Sequence, residues 1–391
     1  MPRPAFEVAD IFRAHGARYR EEHGLPFYQL QLMQAIESCR TAALGGHRER
    51  CHLCAEERIS YNSCGNRHCP KCQNLARTQW VESRKGELLP IDYHHVVFTL
   101  PAQLNDLVLR NKPRLYKILF AASAATLQTI AADPRHLGAQ VGFFSVLHTW
   151  GQNLLFHPHI HCVATGGGIS LDGTRWISSK PGFFLPVRVL SRLFRRLFLE
   201  ALEQAFCQNL LRFPGAVAPL REPAAFLQLT SSLRQIEWVV YSKPPFGGPQ
   251  RVLEYLGRYT HRVALDNRRI LNLHDGHVTF QYKQYRSADA HKSRTMTVAA
   301  GEFIRRFLLH SLPPRLPRIR HYGLFAGRTK KRSLARCGEL LALPADSLLP
   351  SAVQIRAALS SVTEAFRQCP ACLTGHMVRV AWIAPLFKDS S

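Results

Sequence analysis

The 391-residue chain is poor in acid: Asp and Glu number 27 against 51 Lys and Arg, a formal net charge of +24 at pH 7. An excess of that size, spread along the chain, points to a polyanionic partner, with nucleic acid ahead of an anionic membrane surface. No basic amphipathic anchor is evident, so the membrane-surface alternative has no segment to act through. No run of 18 or more apolar residues occurs, which argues against a spanning helix. The opening stretch MPRPAFEVADIFRAHG lacks the apolar core of a secretory signal. A soluble, cytoplasmic, nucleoid-associated protein is therefore expected, with no membrane among its partners. There is no Walker-type phosphate loop either, so no ATP-driven step is expected. Internal repeats are absent.

What the chain does have is 46% apolar residues, ample for a packed core, and a length that suits two or three domains. Its eleven cysteines are clustered, a pattern of metal binding rather than disulfides in a cytosolic protein. Residues 1–46 carry helical apolar spacing (Ile11, Phe12; Leu30, Leu32, Met33, Ile36), and residues 74–88 resume it. Between them, HRERCHLCAEERISYNSCGNRHCPKCQ breaks periodicity. Further along, 92–100, 140–150, 157–168 and 235–243 read as strands, and 105–133 and 187–211 as helices. The order is β-α-β-β-α-β, followed by a helix over 249–262. This is the split βαβ, ferredoxin-like arrangement: an α+β fold whose antiparallel sheet carries helices on one face and whose first and third strands lie in the middle. FPGAVAPLREP (213–223) and KPPFGGPQ (243–250) read as loops, and 269–283 as a hairpin turning at Asp275-Gly276.

Cys51-x2-Cys54 and Cys69-x2-Cys72 lie 14 residues apart. Two such knuckles can close a four-cysteine tetrahedral zinc site, each supplying two thiolates from one turn. His47, Cys64 and His68 share the window as alternative ligands; for Cys64 the plain alternative is a buried small hydrophobe. With no open coordination position, the Zn²⁺ is structural. Cys369-x2-Cys372, with His376, is half of a second such site, for which Cys337 is a candidate partner.

In FHPHIHC (156–162), His159 and His161 are two apart on a strand and share a face, so their imidazoles can converge on one ion. A half-exposed histidine-rich strand is the plain alternative. The strand is expected to be central, and the preceding strand ends in HTWGQN, which offers His148 or Gln152 as a third ligand. Two imidazoles and a carboxamide leave positions open to phosphate oxygens, which suits Mg²⁺ or Mn²⁺. In YLGRYTHR, Tyr255 and Tyr259 stand one helical turn apart. Alone, that spacing is ordinary core. Beside a metal strand it has chemistry: a tyrosine oxygen can attack a phosphodiester and keep the bond energy as a phosphotyrosine, while the metal stabilises charge on the phosphate.

Together HTWGQNLLFHPHIHC, YLGRYTHRVA and SYNSCGNRHCPKCQ resemble the two-tyrosine rolling-circle transposases of bacterial insertion sequences, the insertion-sequence ninety-one type, within the endonucleases that share a His-hydrophobic-His motif. The resemblance runs from about residue 10 to about 330 and takes in HVVFTLP (95–101) and IRRFLLHSLPPRLPRIRHYGL (304–324). It implies an enzyme that nicks one strand at the element's end, stays attached to the 5′ phosphate and transfers that strand to a target. Carried over, His159 and His161 are metal ligands and Tyr255 and Tyr259 the nucleophiles. The zinc cluster becomes an N-terminal domain for recognising the element's end. For the third metal ligand Gln152 is favoured, with His148 the alternative and His261, His94 and His95 further candidates.

Arg315, Arg318, Arg320, Lys330, Lys331 and Arg332 lie in a dense basic stretch and are expected to contact DNA phosphates, with single-stranded or hairpin element ends and target DNA as substrates. The expected organisation is a helical and zinc-binding module (1–88), the nuclease domain (89–265), a basic hairpin region (266–335) and a tail (336–391). Two other classes are a zinc-containing nucleic-acid-binding regulator without catalysis and a metal hydrolase that uses water in place of tyrosine.

Overall fold

The computed structural model describes residues 4–73, 78, 80–81, 88–243, 251–252, 257, 264–283, 293–344, 360, 364 and 367–386. Two helices come first, α1 (Val8–Glu22) and α2 (Phe27–Ser38). A capping box opens α1: the carboxylates of Glu7 and Asp10 each accept from the other's backbone N–H. Two short strands, β1 (Gly46–Cys51) and β2 (Glu57–Tyr61), follow.

The β-α-β-β-α-β run then builds the central sheet. It comprises β3 (Tyr93–Thr99), α3 (Asn105–Arg110), α4 (Lys112–Ala132), β4 (Ala139–Trp150), β5 (Phe156–Ser170), a short β6 (Trp176–Ser178) beside β5, α5 (Val187–Cys207), α6 (Pro223–Gln235) and β7 (Val240–Lys243). With an edge strand β11 (Ile319–Gly323), the order is β11-β4-β5-β3-β7, every neighbour antiparallel. The first and third strands of the run, β3 and β5, thus stand in the middle.

Three local outcomes differ from the sequence reading. The strand expected over 235–243 shrinks to four residues because Pro223, in a first turn, starts α6, whose Phe226, Thr230 and Leu233 form a buried stripe at i, i+4, i+7. β5 does not end at Gly166-Gly167-Gly168 but runs through them to Ser170. These glycines let neighbouring backbones close in; a Cβ at Gly166 would meet Asp92 O at 2.8 Å. The third difference concerns the faces of the sheet. On one, α4 and α5 cover Val96, Phe98, Phe143, Leu147, Ile160 and Cys162. α4 is long and apolar enough, by length and composition, to cross a membrane, yet most of it is buried in this core. The other face is not bare: Tyr93, Phe144, Val163 and Ile169 pack against Leu324, Phe325 and Leu334, the last from α8 (Lys330–Leu340).

A second sheet is the expected hairpin, β8 (Ile270–His274) and β9 (His277–Lys283), extended by β10 (Ser293–Ala299). Its turn places Asp275 and Gly276 at φ 46° and 70°, both left-handed, as a two-residue hairpin loop requires. Phe280 points into a core shared with α1, α2 and α7 (Ala300–Leu309), where Phe303 meets it edge-on. Its role there is core packing.

The expected C-terminal tail is no appendage. β12 (Met377–Ile383) pairs antiparallel with β1, making a three-stranded sheet β12-β1-β2 from the two ends of the chain.

Candidate functional site

Alternation along β5 sorts its side chains. Ile160 and Cys162 face α4 and α5, while His157, His159, His161 and Val163 face the other way. Register does the rest: His148 on β4 lies directly opposite His159, and Val146 opposite His161. The ligand nitrogens of His148, His159 and His161 all fall within 4.8 Å of one another. His148 and His161 are buried and His159 half-buried.

Each imidazole is held by a neighbour. His159 Nδ1 lies 2.6 Å from the His157 carbonyl, which can only accept, so Nδ1 carries the proton and Nε2 the lone pair. His161 Nδ1 is 2.8 Å from His95 Nε2, and the two rings are nearly parallel. His148 stacks on Trp150 at 4.8 Å, and Trp150 in turn lies under Arg318. Burial pushes His159 down to about 4, and His95 to about 3 with help from Lys243, opposite it on β7. His159 and His95 are thus neutral at pH 7, the form in which an imidazole can bind metal. No carboxylate joins the trio among the described residues. Such a nitrogen-only set fits a first-row transition ion better than Mg²⁺, which prefers oxygen.

The sequence candidates divide accordingly. Gln152, favoured as third ligand, lies in the turn beyond β4, where its backbone carbonyl accepts from Arg269. The neighbour strand's contribution to the cluster is His148. His94 points to the helix-covered side, stacked on Phe184 and bonded to Ser179. His95 touches the cluster through His161. Tyr255, Tyr259 and His261 lie outside the described residues.

The cysteines form two spheres, not the one assembled from neighbouring knuckles. Cys69 and Cys72 join Cys64 and Cys39, the residue that ends α2; Cys51 and Cys54 join Cys369 and Cys372. The physical reason is strand pairing. Cys51 ends β1 opposite Met377 of β12, so the tail delivers its own knuckle there. Contacts of 3.5 Å (Cys39–Cys72), 3.6 Å (Cys64–Cys72 and Cys54–Cys369) and 3.8 Å (Cys51–Cys372) separate the sulfurs. Tetrahedral zinc with Zn–S near 2.3 Å holds its sulfurs about 3.8 Å apart, so both spheres fit Zn²⁺. Within each cluster the thiols share protons unevenly. Cys64 pulls Cys39 down to about 7 and the Gly375 N–H pulls Cys372 down to about 6, while neighbouring thiols push Cys64 and Cys69 up and Cys54 rises to about 12. Cys39 was missed because it sits 25 residues before the next ligand, inside helical periodicity. Three sequence alternatives are otherwise engaged: His47 pairs with Glu49, His68 Nε2 accepts from Leu312 N, and His376 packs on His52. Cys337 is core on α8, its thiol pushed up to about 12 by burial.

Of the expected phosphate contacts, Arg315, Lys331 and Arg332 are exposed and Lys330 is half-buried. Arg320 and Lys330 line a groove of about 540 Å³ with Tyr322 and Phe325. Arg318 differs: it is 8% exposed, set between Trp150 and His68, and burial pulls its guanidinium down to about 10. It packs the interior rather than meeting a phosphate.

Comparison with known proteins gives these features a lineage. Residues 142–333 match the family model described as "Putative transposase", and residues 11–100 that of the "Transposase zinc-binding domain". The first span contains the histidine strands and the second the Cys39–Cys72 sphere. The chain is 55% identical over 384 residues, 97% of its length and 96% of the relative's, to "Putative transposase y4qJ" of Sinorhizobium fredii. It is 27% identical over 352 residues, 87% of its length and 80% of the relative's, to "Transposase for insertion sequence element IS801" of Pseudomonas savastanoi pv. phaseolicola. No solved structure matches it. The chain belongs to the transposases of the insertion-sequence ninety-one type, DNA-acting enzymes with a zinc-binding domain.

Proposed function

We propose that this transposase cuts and joins single DNA strands through a 5′-phosphotyrosine, in rolling-circle transposition. The observation that carries the reading is the trio His148 of β4 and His159 and His161 of β5, on the sheet face away from α4 and α5, each imidazole fixed by a neighbour. We read the sheet as a ferredoxin-like nuclease core, in which β5 forms the floor of the cleft. A divalent ion held there, Mn²⁺ in preference to Mg²⁺, would polarise the scissile phosphate and steady the leaving oxygen. His95 accepts the His161 Nδ1–H and so aims Nε2 at the ion; it is a positioning residue. Tyr255 or Tyr259 then supplies the nucleophile: its oxygen bonds to phosphorus, the P–O3′ bond breaks and a free 3′ hydroxyl leaves. Attack on that phosphotyrosine by a strand's 3′ hydroxyl restores a phosphodiester and the tyrosine. The second tyrosine permits cleavage and joining to alternate in one site. Single-stranded or hairpin ends suit this chemistry, because a paired backbone holds the phosphate out of line with the attacking oxygen.

The test incubates purified protein with Mn²⁺ and labelled single-stranded DNA from the element's end. A protein–DNA band that survives SDS is expected from wild type, and Tyr255→Phe with Tyr259→Phe should abolish it. A free 5′ phosphate with no band would mean that water is the nucleophile. Binding without any cleavage would make the protein a non-catalytic regulator. His95→Ala is expected to weaken Mn²⁺ binding by about 10- to 100-fold. His95→Gln, which keeps an acceptor for His161, should recover part of it. Titration followed by Mn²⁺ electron paramagnetic resonance separates the two; equal affinities in all three proteins would remove the positioning role.

A further inference from the structure

We propose that Cys51, Cys54, Cys369 and Cys372 bind a second Zn²⁺, separate from the ion of the Cys39 sphere, and that this ion is a clasp holding the C-terminal strand onto the N-terminal module. The family's zinc-binding span ends at residue 100, so half of this ligand set lies outside it. The inference rests on the four-thiol geometry and is independent of the strand-transfer chemistry.

Both halves of the sphere are built as zinc knuckles. Leu53 N donates to Cys51 Sγ at 3.4 Å, and Gly375 N to Cys372 Sγ at 3.2 Å, each thiolate receiving a backbone N–H from its own turn. At Gly375 there is no room for a side chain: a Cβ would stand against Cys51 Sγ and 3.2 Å from Cys372 Sγ. The turn is therefore shaped around the sulfurs. None of the four is in a disulfide.

Among the described residues the tail is held by the β1–β12 ladder and the His52–His376 contacts, with little apolar burial to help them. The buried apolar cluster there, among the described residues, is Cys51, Cys369 and Met377, with Cys372 packed beside them. β12 buries Met377 but leaves Val378, Val380 and Trp382 between 45% and 67% exposed. A strand so exposed gains little from apolar burial. The first sphere is different: Cys39 and Cys69 sit inside a core with Phe12, Met33 and Phe307, so its surroundings hold it together as well. Cys54 is exposed, whereas Cys39 and Cys69 are not. The two ions should differ accordingly, the clasp being the more readily removed.

The experiment loads the full chain with Co²⁺ and reads the thiolate-to-cobalt charge-transfer band, to which histidine sites add nothing. Cys369→Ser with Cys372→Ser is expected to halve that band. In parallel, hydrogen exchange over 377–383 should rise sharply in this variant while that of α1 and α2 stays as in wild type. Gly375→Ala, which retains every cysteine, should release cobalt from the clasp first under dilute chelator. An unchanged band in the double variant, or an unchanged exchange rate for 377–383, would overturn the proposal. Complete loss of the band would overturn it too, because the two spheres would then not be separate.

Discussion

His161→Ala is expected to yield no SDS-stable protein–DNA band and to lower strand cleavage by about a thousandfold or more, the scale of losing the group that stabilises charge on the reacting phosphate. His161 is the middle of the arrangement. It shares a face of β5 with His159, sits beside His148 of β4 and bonds to His95 of β3. Removing it leaves two imidazoles and frees His95 from its partner. DNA binding should persist, because the exposed cations Arg315, Lys331 and Arg332 do not belong to the cluster. Loss of a buried imidazole is expected to cost about 1–3 kcal/mol of stability. A melting curve therefore distinguishes an inactive fold from an unfolded one. His148→Ala should resemble His161→Ala, whereas Gln152→Ala should retain cleavage within a few-fold. If His161→Ala still forms the covalent band, the metal strand is not where the chemistry occurs.

The second large effect belongs to Cys39→Ser. Structural zinc contributes roughly 10–16 kcal/mol in small domains, comparable to the whole stability of about 5–15 kcal/mol that a domain possesses. Taking one thiolate from the Cys39, Cys64, Cys69 and Cys72 sphere is therefore expected to unfold the N-terminal module rather than loosen it. Ile11, Phe12, Met33 and Phe307 pack in the same core and would lose their order with it. The measurement is zinc content together with the thermal transition. Cys207→Ser, at an exposed position near the end of α5, is the control and should change neither. A Cys39→Ser protein with full zinc and the wild-type transition would show that Cys39 is not a ligand.

Local periodicity made part of this architecture readable. The two-residue spacing of His159 and His161 fixes a common face on any strand, and the order of strands and helices places that strand beside the first. Choosing between His148 and Gln152 needed more. It depends on where β4 stops and on the register that sets His148 opposite His159, and sequence spacing carries neither. The cysteines failed for a similar reason. Cys-x2-Cys announces a knuckle but not its mate, and the mate is set by β1 pairing with a strand at the far end of the chain. Arg318 read as a phosphate contact because charge counting along a segment cannot see a Trp150 ring waiting behind it. The covering of the second sheet face by α8 was hidden by its basic first turn, which drew attention from Leu334 and Cys337 on its inner side.

The pairing of β1 with β12 also has a consequence for synthesis. Cys51 and Cys372 are 321 residues apart in the chain, so the β12-β1-β2 sheet stays incomplete on the ribosome until residues up to Ile383 have been made. Until then β1 offers an unpaired edge and a knuckle with half its ligands, the exposed state that favours wrong partners. Contacts of such long range also form slowly. A polypeptide truncated by a premature stop would never close that edge, so fragments of this transposase should be selectively insoluble or degraded rather than linger as partial DNA-binding proteins.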